Sequence, residues 1–214
     1  MTQLQRCPWA GPEEIYIEYH DREWGRPLHD DRRLFELLVL EGMQAGLSWI
    51  TVLKKREAFR RAFQGFDPER VARYGEADVE ALLQNPAIIR HRGKLNAAVE
   101  NARAFLEIQG AYGSFDRFLW AYVDGAPIIN RPAAMEEVPA STPLSEAISR
   151  DLKRRGFRFV GPTIVYSFLQ AAGLVDDHMI WCPWHTENRR EGPDFSRADF
   201  PCDSRGTGVE SEHR

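Results

Sequence analysis

Apolar residues recur at three- and four-residue intervals along most of the chain, while the two-residue alternation of half-buried strands is nearly absent. A chain patterned this way buries its core between helices. Leu34, Leu37, Leu38, Glu41 and Ala45 share one stripe, Val79, Leu82 and Leu83 a second, and Leu95, Val99, Ala102, Phe105 and Leu106 a third. The clearest helix opens with Thr142 as N-cap and Pro143 at its first position, buries Leu144, Ala147, Ile148 and Leu152, and stops before Gly156. A further helix is expected over about residues 162–172, so the six residues Gly156 to Gly161 join two helices in a hairpin. The fold class these patterns give is all-α.

At 214 residues, 43% of them hydrophobic, the chain can build one sizeable core but no second large domain. The expected division is a helical domain over 1–185 and a polar tail over 186–214, where periodicity stops and Gly, Pro and charge scatter. No apolar run approaches the roughly 18 residues of a membrane helix, and the start of the chain lacks the basic and apolar regions of a secretion signal. The expectation is a cytoplasmic monomer with no membrane partner. Three cysteines, Cys7, Cys182 and Cys202, suit a reducing compartment and argue against a disulfide framework. The formal net charge of -4 counts against a nucleic-acid partner, yet residues 88–103 hold four bases against Glu100, and 150–158 hold five against Asp151. Local basic surface can exist on an acidic protein.

Glu41 interrupts an apolar stripe, three residues after Leu38 and seven after Leu34, on a helix beginning near Arg32. Burying an unpaired carboxylate costs several kcal/mol, so it needs a partner or a purpose. Either the helix ends near Gly42 and Glu41 turns to solvent or an arginine, or the carboxylate belongs to a site. Trp49 lies eight residues on, and Trp9, Tyr16, Tyr19 and Trp24 stand within sixteen residues of one another. Aromatic faces around one acceptor carboxylate make a slot for a flat heterocycle with N–H donors. The alternative is that these rings are ordinary core.

His178 and Cys182 are four apart, so on one helical turn their side chains point the same way. Cys7 and His20 could complete a closed Cys2His2 set, which would make a zinc ion there structural, with no open position for catalysis. His185 and Cys202 are rival ligands. Two basic turns could grip a sugar-phosphate backbone: Arg90, Arg92 and Lys94 before one helix, and Arg158 in the hairpin, whose second helix offers free N–H groups at Gly161 and beyond. Both could equally be solvated faces.

In order along the chain, the segments RCPW, YIEYHDREWG, LEGMQAGLSWITVLKKR, IIRHRGK, RGFRFVGPTIVYSFLQA and GLVDDH closely resemble the 3-methyladenine DNA glycosylase I family, known as Tag, over about residues 5–182. The resemblance implies an all-helical member of the helix-hairpin-helix glycosylases, acting in bacterial base-excision repair on double-stranded alkylated DNA. It implies one structural zinc on Cys7, His20, His178 and Cys182, stapling the two ends of the domain. It implies a base pocket with Glu41 as acceptor and Tyr16, Tyr19 and Trp49 around it, Trp9 and Trp24 being further wall residues. Gly46 and Leu47 become the wedge that fills the duplex, and Arg90, Arg92, Lys94, Arg158, Val160 and Gly161 the grip on the backbone.

Two departures bear on mechanism. Phe159 stands where many superfamily hairpins have the first glycine of a GVG turn. The chain reads Val175-Asp176-Asp177-His178 where Tag enzymes often read VNDH. Asp176 either supports positive charge on the sugar, as a catalytic residue, or sits behind the zinc ligand. The competing class is a zinc-stapled helical protein that binds damaged DNA without cleaving it.

Overall fold

The computed structural model describes residues 5–189, and within them the chain is helical as its periodicity requires. Ten α-helices follow in order among the described residues: α1 Glu14–Arg22, α2 Asp31–Gln44, α3 Trp49–Leu53, α4 Arg56–Ala62, α5 Pro68–Val71, α6 Glu76–Leu83, α7 Arg92–Tyr112, α8 Phe115–Trp120, α9 Pro143–Arg154 and α10 Pro162–Ala171. The only paired strands described are β1, Ile128–Ile129, and β2, Val175–Asp176, in parallel. No described helix is long and apolar enough to cross a membrane.

Helix α2 forms the axis of the core. Asp30 caps its start by accepting from the Arg33 N–H at 2.8 Å, and every residue from Leu34 to Met43 is buried. A helix apolar on nearly all sides must be surrounded, and α2 packs against α3, α7, α8 and α10. It extends past Gly42 to Gln44, so Glu41 does not reach solvent at a frayed end. Helix α7 runs longer than its stripe suggested, to Tyr112, where Gly113 takes the left-handed conformation (φ 86°) that ends it.

The expected N-cap is present on α9: the Thr142 hydroxyl accepts from the Ser145 N–H at 3.2 Å. Arg155 and Gly156 (φ 92°) end α9, and the connector to Gly161 turns the chain into α10, which packs back along α9. The chain beyond residue 185 remains tied to the domain as far as it is described: Thr186 bonds Asp176, and the Arg189 guanidinium donates to the carbonyl of Trp184 at 2.7 Å. The rest of the expected tail, with Cys202, lies outside the described residues.

The two ends of the domain are drawn together where the segment after α1 crosses the end of α10. Gly25 donates to the Gln170 carbonyl and Leu28 to that of Ala172, both at 3.0 Å. Gly173 permits the crossing, because a Cβ there (φ +68°) would lie 2.1 Å from the carbonyl carbon of Arg26. Backbone cannot yield as a side-chain tip does. Gly173→Ala is therefore expected to lower the free energy of unfolding by at least about 3 kcal/mol in denaturant titration, and an unchanged midpoint would show that the crossing is not required.

Candidate base pocket and metal cluster

Placing a carboxylate on the apolar stripe of α2 has put it inside the protein. Glu41 is 3% exposed, and its Oε2 is buried without a hydrogen-bond partner. It borders a cavity of about 340 Å³, near the small end of the range for ligand sites. Burial is the cause that pushes the carboxyl up to about 8, and among the described residues Glu41 has no ion-pair partner. Unless a cation offsets it, the group is therefore a carboxylic acid at neutral pH. The folded chain keeps this proton at pH values where the unfolded chain has lost it, so the contribution to stability is full below about 4.5 and falls as pH rises toward 8.

Aromatic residues from four segments wall the cavity. Trp9, Tyr16, Tyr19, Trp24 and Trp49 all border it. The Trp9 ring lies 5.3 Å from that of Tyr16 and 4.8 Å from that of Trp24, and Tyr19 stands 5.3 Å from Trp49. The Trp49 indole nitrogen is buried with no acceptor. One unpaired carboxyl and one unpaired indole N–H, among rings that present flat faces, suit an aromatic heterocycle carrying both donors and acceptors.

The opposite wall escaped the sequence reading. Thr163, Tyr166, Ser167 and Gln170 face the cavity from α10, and Asp177 joins them from beyond β2. Their spacing of three and four along a single helix was the available signal. Asp177 accepts from the Tyr166 hydroxyl at 2.5 Å, from the Gln170 amide at 2.6 Å and from the Asn130 amide at 2.7 Å. Its neighbour Asp176 does not border the cavity. One Asp176 oxygen accepts from the His178 ring at 2.7 Å and its N–H at 3.0 Å, and the other from the Thr186 N–H and hydroxyl. Of the two roles open to Asp176, these contacts favour the one behind His178 over support of a sugar cation.

Asp176 holds the His178 ring so that Nδ1 faces the carboxylate, leaving Nε2 buried with no partner. His20 is turned in the same way by Asp21, at 2.8 Å from its Nδ1, and its Nε2 lies 3.7 Å from the sulfur of Cys182. The ligand atoms of Cys7, His20 and Cys182 fall within 4.8 Å of one another, a cluster that could hold a metal ion. The neighbouring Cys7 thiol, helped by His20 and opposed by burial, holds the Cys182 thiol below its ordinary range, while burial holds His178 below its own. Thiolate and neutral imidazole are the forms that bind metals. Gly25 makes room for the His178 ring, since a Cβ there would lie 2.7 Å from it. His185 is not a rival: its Nε2 meets the Asn130 carbonyl at 2.8 Å and its Nδ1 accepts from the Glu187 N–H.

The residues expected to touch nucleic acid divide into surface and interior. Leu47 is 40% exposed in the turn after α2, beside Gly46 with φ 78° and open space around it. Arg90 is exposed, Arg92 pairs with Glu76 and Glu80, and Arg158 pairs with Glu100 at 3.1 Å. The Val160 side chain is core, 1% exposed, and Gly161 is the N-cap of α10. Lys94 departs from expectation: it is 7% exposed, and its ammonium donates to the carbonyls of Met43 at 2.9 Å and Ala45 at 2.5 Å. It is an internal cap of α2 instead of a surface cation for phosphate.

The profile of the methyladenine glycosylase family matches residues 9–186. The DNA-3-methyladenine glycosylase of Haemophilus influenzae is 51% identical over 85% of this chain and 98% of that protein. A crystal structure of a 3-methyladenine DNA glycosylase I superposes with a TM-score of 0.83 at 56% identity, covering 85% of this chain and all of that one. A tyrosine-to-phenylalanine variant of such an enzyme in complex with 3-methyladenine superposes with a TM-score of 0.82 at 44% identity, over 84% of this chain and 97% of that one. On sequence and fold together, the chain belongs to the methyladenine glycosylase family.

Proposed function

We propose that this protein is a DNA repair glycosylase that flips a 3-methyladenine nucleotide out of duplex DNA and hydrolyses its glycosidic bond, leaving an abasic site. The observation that carries this reading is the buried, unpaired Glu41 carboxyl in a ring-walled cavity. The bound base in the related structure supports it.

Alkylation at N3 makes the adenine of the nucleotide cationic and weakens its bond to the sugar, so the base can leave as a neutral molecule without a strong general acid. What the protein must supply is a place for the base and a path for water to the sugar carbon as an oxocarbenium-like cation develops. A positive ring entering the cavity lowers the carboxyl pKa of Glu41 and releases its proton. The resulting anion accepts N–H groups of the base, while the rings of Tyr16, Tyr19 and Trp49 stack on it, with Trp9 and Trp24 behind. Unmodified adenine is neutral and gives no such inducement. It must either meet a protonated carboxyl or leave a buried charge poorly compensated, at a cost of several kcal/mol. Selectivity follows from charge as much as from shape.

The α9–connector–α10 unit supports the helix-hairpin-helix assignment. In this reading the connector around Arg158, Val160 and Gly161 receives backbone phosphate through main-chain N–H groups, Arg90 and Arg92 add surface charge, and Gly46 and Leu47 fill the space left by the flipped nucleotide. The protein acts on double-stranded DNA as a monomer.

For the metal cluster we infer zinc on Cys7, His20, His178 and Cys182. The Cys7, His20 and Cys182 cluster fits that ion, and the orphaned Nε2 of His178, whose ring lies 4.9 Å from that of His20, supports a fourth ligand beside it. Bound there, zinc would supply no chemistry of its own to the excision: it would join residues near both ends of the domain and close a long loop.

Incubation with methylated duplex DNA and chromatography of the liberated bases tests the activity. The wild-type protein should release 3-methyladenine, whereas a non-catalytic damage binder would retain the DNA and release none. Glu41→Gln should release it at least about tenfold more slowly, the effect of losing a charge-assisted contact in a dry site. The same variant should be more stable than wild type at pH 8, by up to about 4 kcal/mol at 1.36 kcal/mol per pH unit. Equal release by both proteins would remove Glu41 from the pocket chemistry. Prolonged dialysis against a chelator should strip about one zinc per chain and lower the thermal midpoint by about 6 °C or more. A metal-free protein with an unaltered midpoint would contradict the staple.

A further inference from the structure

The lysine that moved from the expected basic turn into the interior shares a face of α7 with another buried polar residue. Lys94 and Asn101 stand seven residues apart, two helical turns and about 10 Å along the axis. Each spends its side chain on the main chain of a different loop.

The Lys94 ammonium holds the carbonyls of Met43 and Ala45 at the end of α2, groups that have no partner inside the helix. A cation there also meets the negative end of the helix dipole. The residues that follow are Gly46 and the exposed Leu47. Asn101, 4% exposed, clamps Arg158 at two points: its amide donates to the Arg158 carbonyl at 3.0 Å, and its carbonyl accepts from the Arg158 N–H at 2.7 Å. Arg158 lies in the connector between α9 and α10, followed by Phe159 in the left-handed region (φ 54°). Phe159 rests on α2 one residue from Glu41, where a Cβ added to Gly42 would lie 3.4 Å from the Phe159 Cβ.

We propose that Lys94 and Asn101 are positioning residues that use α7 as a spacer, fixing the turn that fills the duplex relative to the connector that holds its backbone. The inference rests on the glycosylase reading above. A nucleotide can enter the pocket only if the filling residue and the phosphate grip meet the same stretch of DNA together. Two loops ordered independently would lose conformational entropy at each encounter. Two buried side chains on one rigid helix remove that loss beforehand.

The test compares Lys94→Met, Lys94→Arg and Asn101→Ala with the wild type in three measurements: single-turnover release of 3-methyladenine from DNA, affinity for the free base by tryptophan fluorescence, and salt dependence of duplex binding. Lys94→Met and Asn101→Ala should slow release from fully paired duplex by about tenfold or more. Free-base affinity should stay within about twofold, and the salt slope should not change. Much of the lost rate should return when the damaged adenine lies opposite an abasic site, where less unpairing is required. Lys94→Arg, which keeps a cationic donor, should retain most of the wild-type rate. A slope reduced by about one in Lys94→Met would mark a lost phosphate contact and overturn the proposal, as would equal losses on paired and unpaired substrates. Wild-type rates in both Lys94→Met and Asn101→Ala would sink the positioning role alone, whereas a wild-type protein that releases nothing would sink the glycosylase reading itself.

Discussion

The solvation of one carboxyl governs the arrangement of this molecule. Glu41 sits on a helix buried nearly all round, with an oxygen that no protein group satisfies. A folded chain tolerates this only by keeping the group neutral or by supplying an outside partner. The rings, the cavity and the helix order all follow from holding that group away from water yet within reach of a flat ligand. Among the described residues Glu41 forms no ion pair, and burial is what perturbs its carboxyl. That vacancy of charge is what a cationic base can fill.

The rest of the fold makes the vacancy precise in space. Helix α2 carries Glu41 and leads directly into the Gly46 turn, so in our reading one rigid element joins recognition and duplex filling. Helix α10 brings a polar stripe to the far wall and begins at the connector that faces the DNA in our reading. The crossing at Gly173 and the cysteine–histidine cluster hold the N-terminal rings against α10 and β2. Without that closure, Trp9 and Tyr16 would have no fixed relation to Glu41. A metal ion held by the cluster, as we propose, would serve the same requirement as the backbone crossing.

The all-helical class, the stripe that includes Glu41 and the capped α9 were legible because each rests on local rules: periodicity, a cap hydroxyl, proline at the start and glycine at the end. The aromatic pocket was legible as a cluster in the first fifty residues. Its other wall was not, because polar residues on α10 read equally as a solvated face until the fold turns them inward. Charge patterning misplaced Lys94 for a related reason, since a run of basic residues does not tell which member points inside. Asp176 and Asp177 illustrate the limit most clearly. They are adjacent on an extended segment, where successive side chains face opposite sides, so one lines the cavity and the other orients His178. Spacing suggested His178 with Cys182 and, less specifically, Cys7 with His20, but only the family resemblance singled out the pair more than 150 residues away from the other.

The most direct measurement of the central claim is the carbon-13 titration of the Glu41 side-chain carboxyl, with Glu41→Gln identifying the resonance. In the ligand-free protein the midpoint should lie near 8, and a bound N3-alkylated adenine cation should move it down by two pH units or more, roughly the effect of an adjacent opposite charge. A midpoint in the ordinary carboxylate range without ligand, unmoved on binding, would mean that water or a protein cation already satisfies the group. The pocket would then have no charge to offer a damaged base.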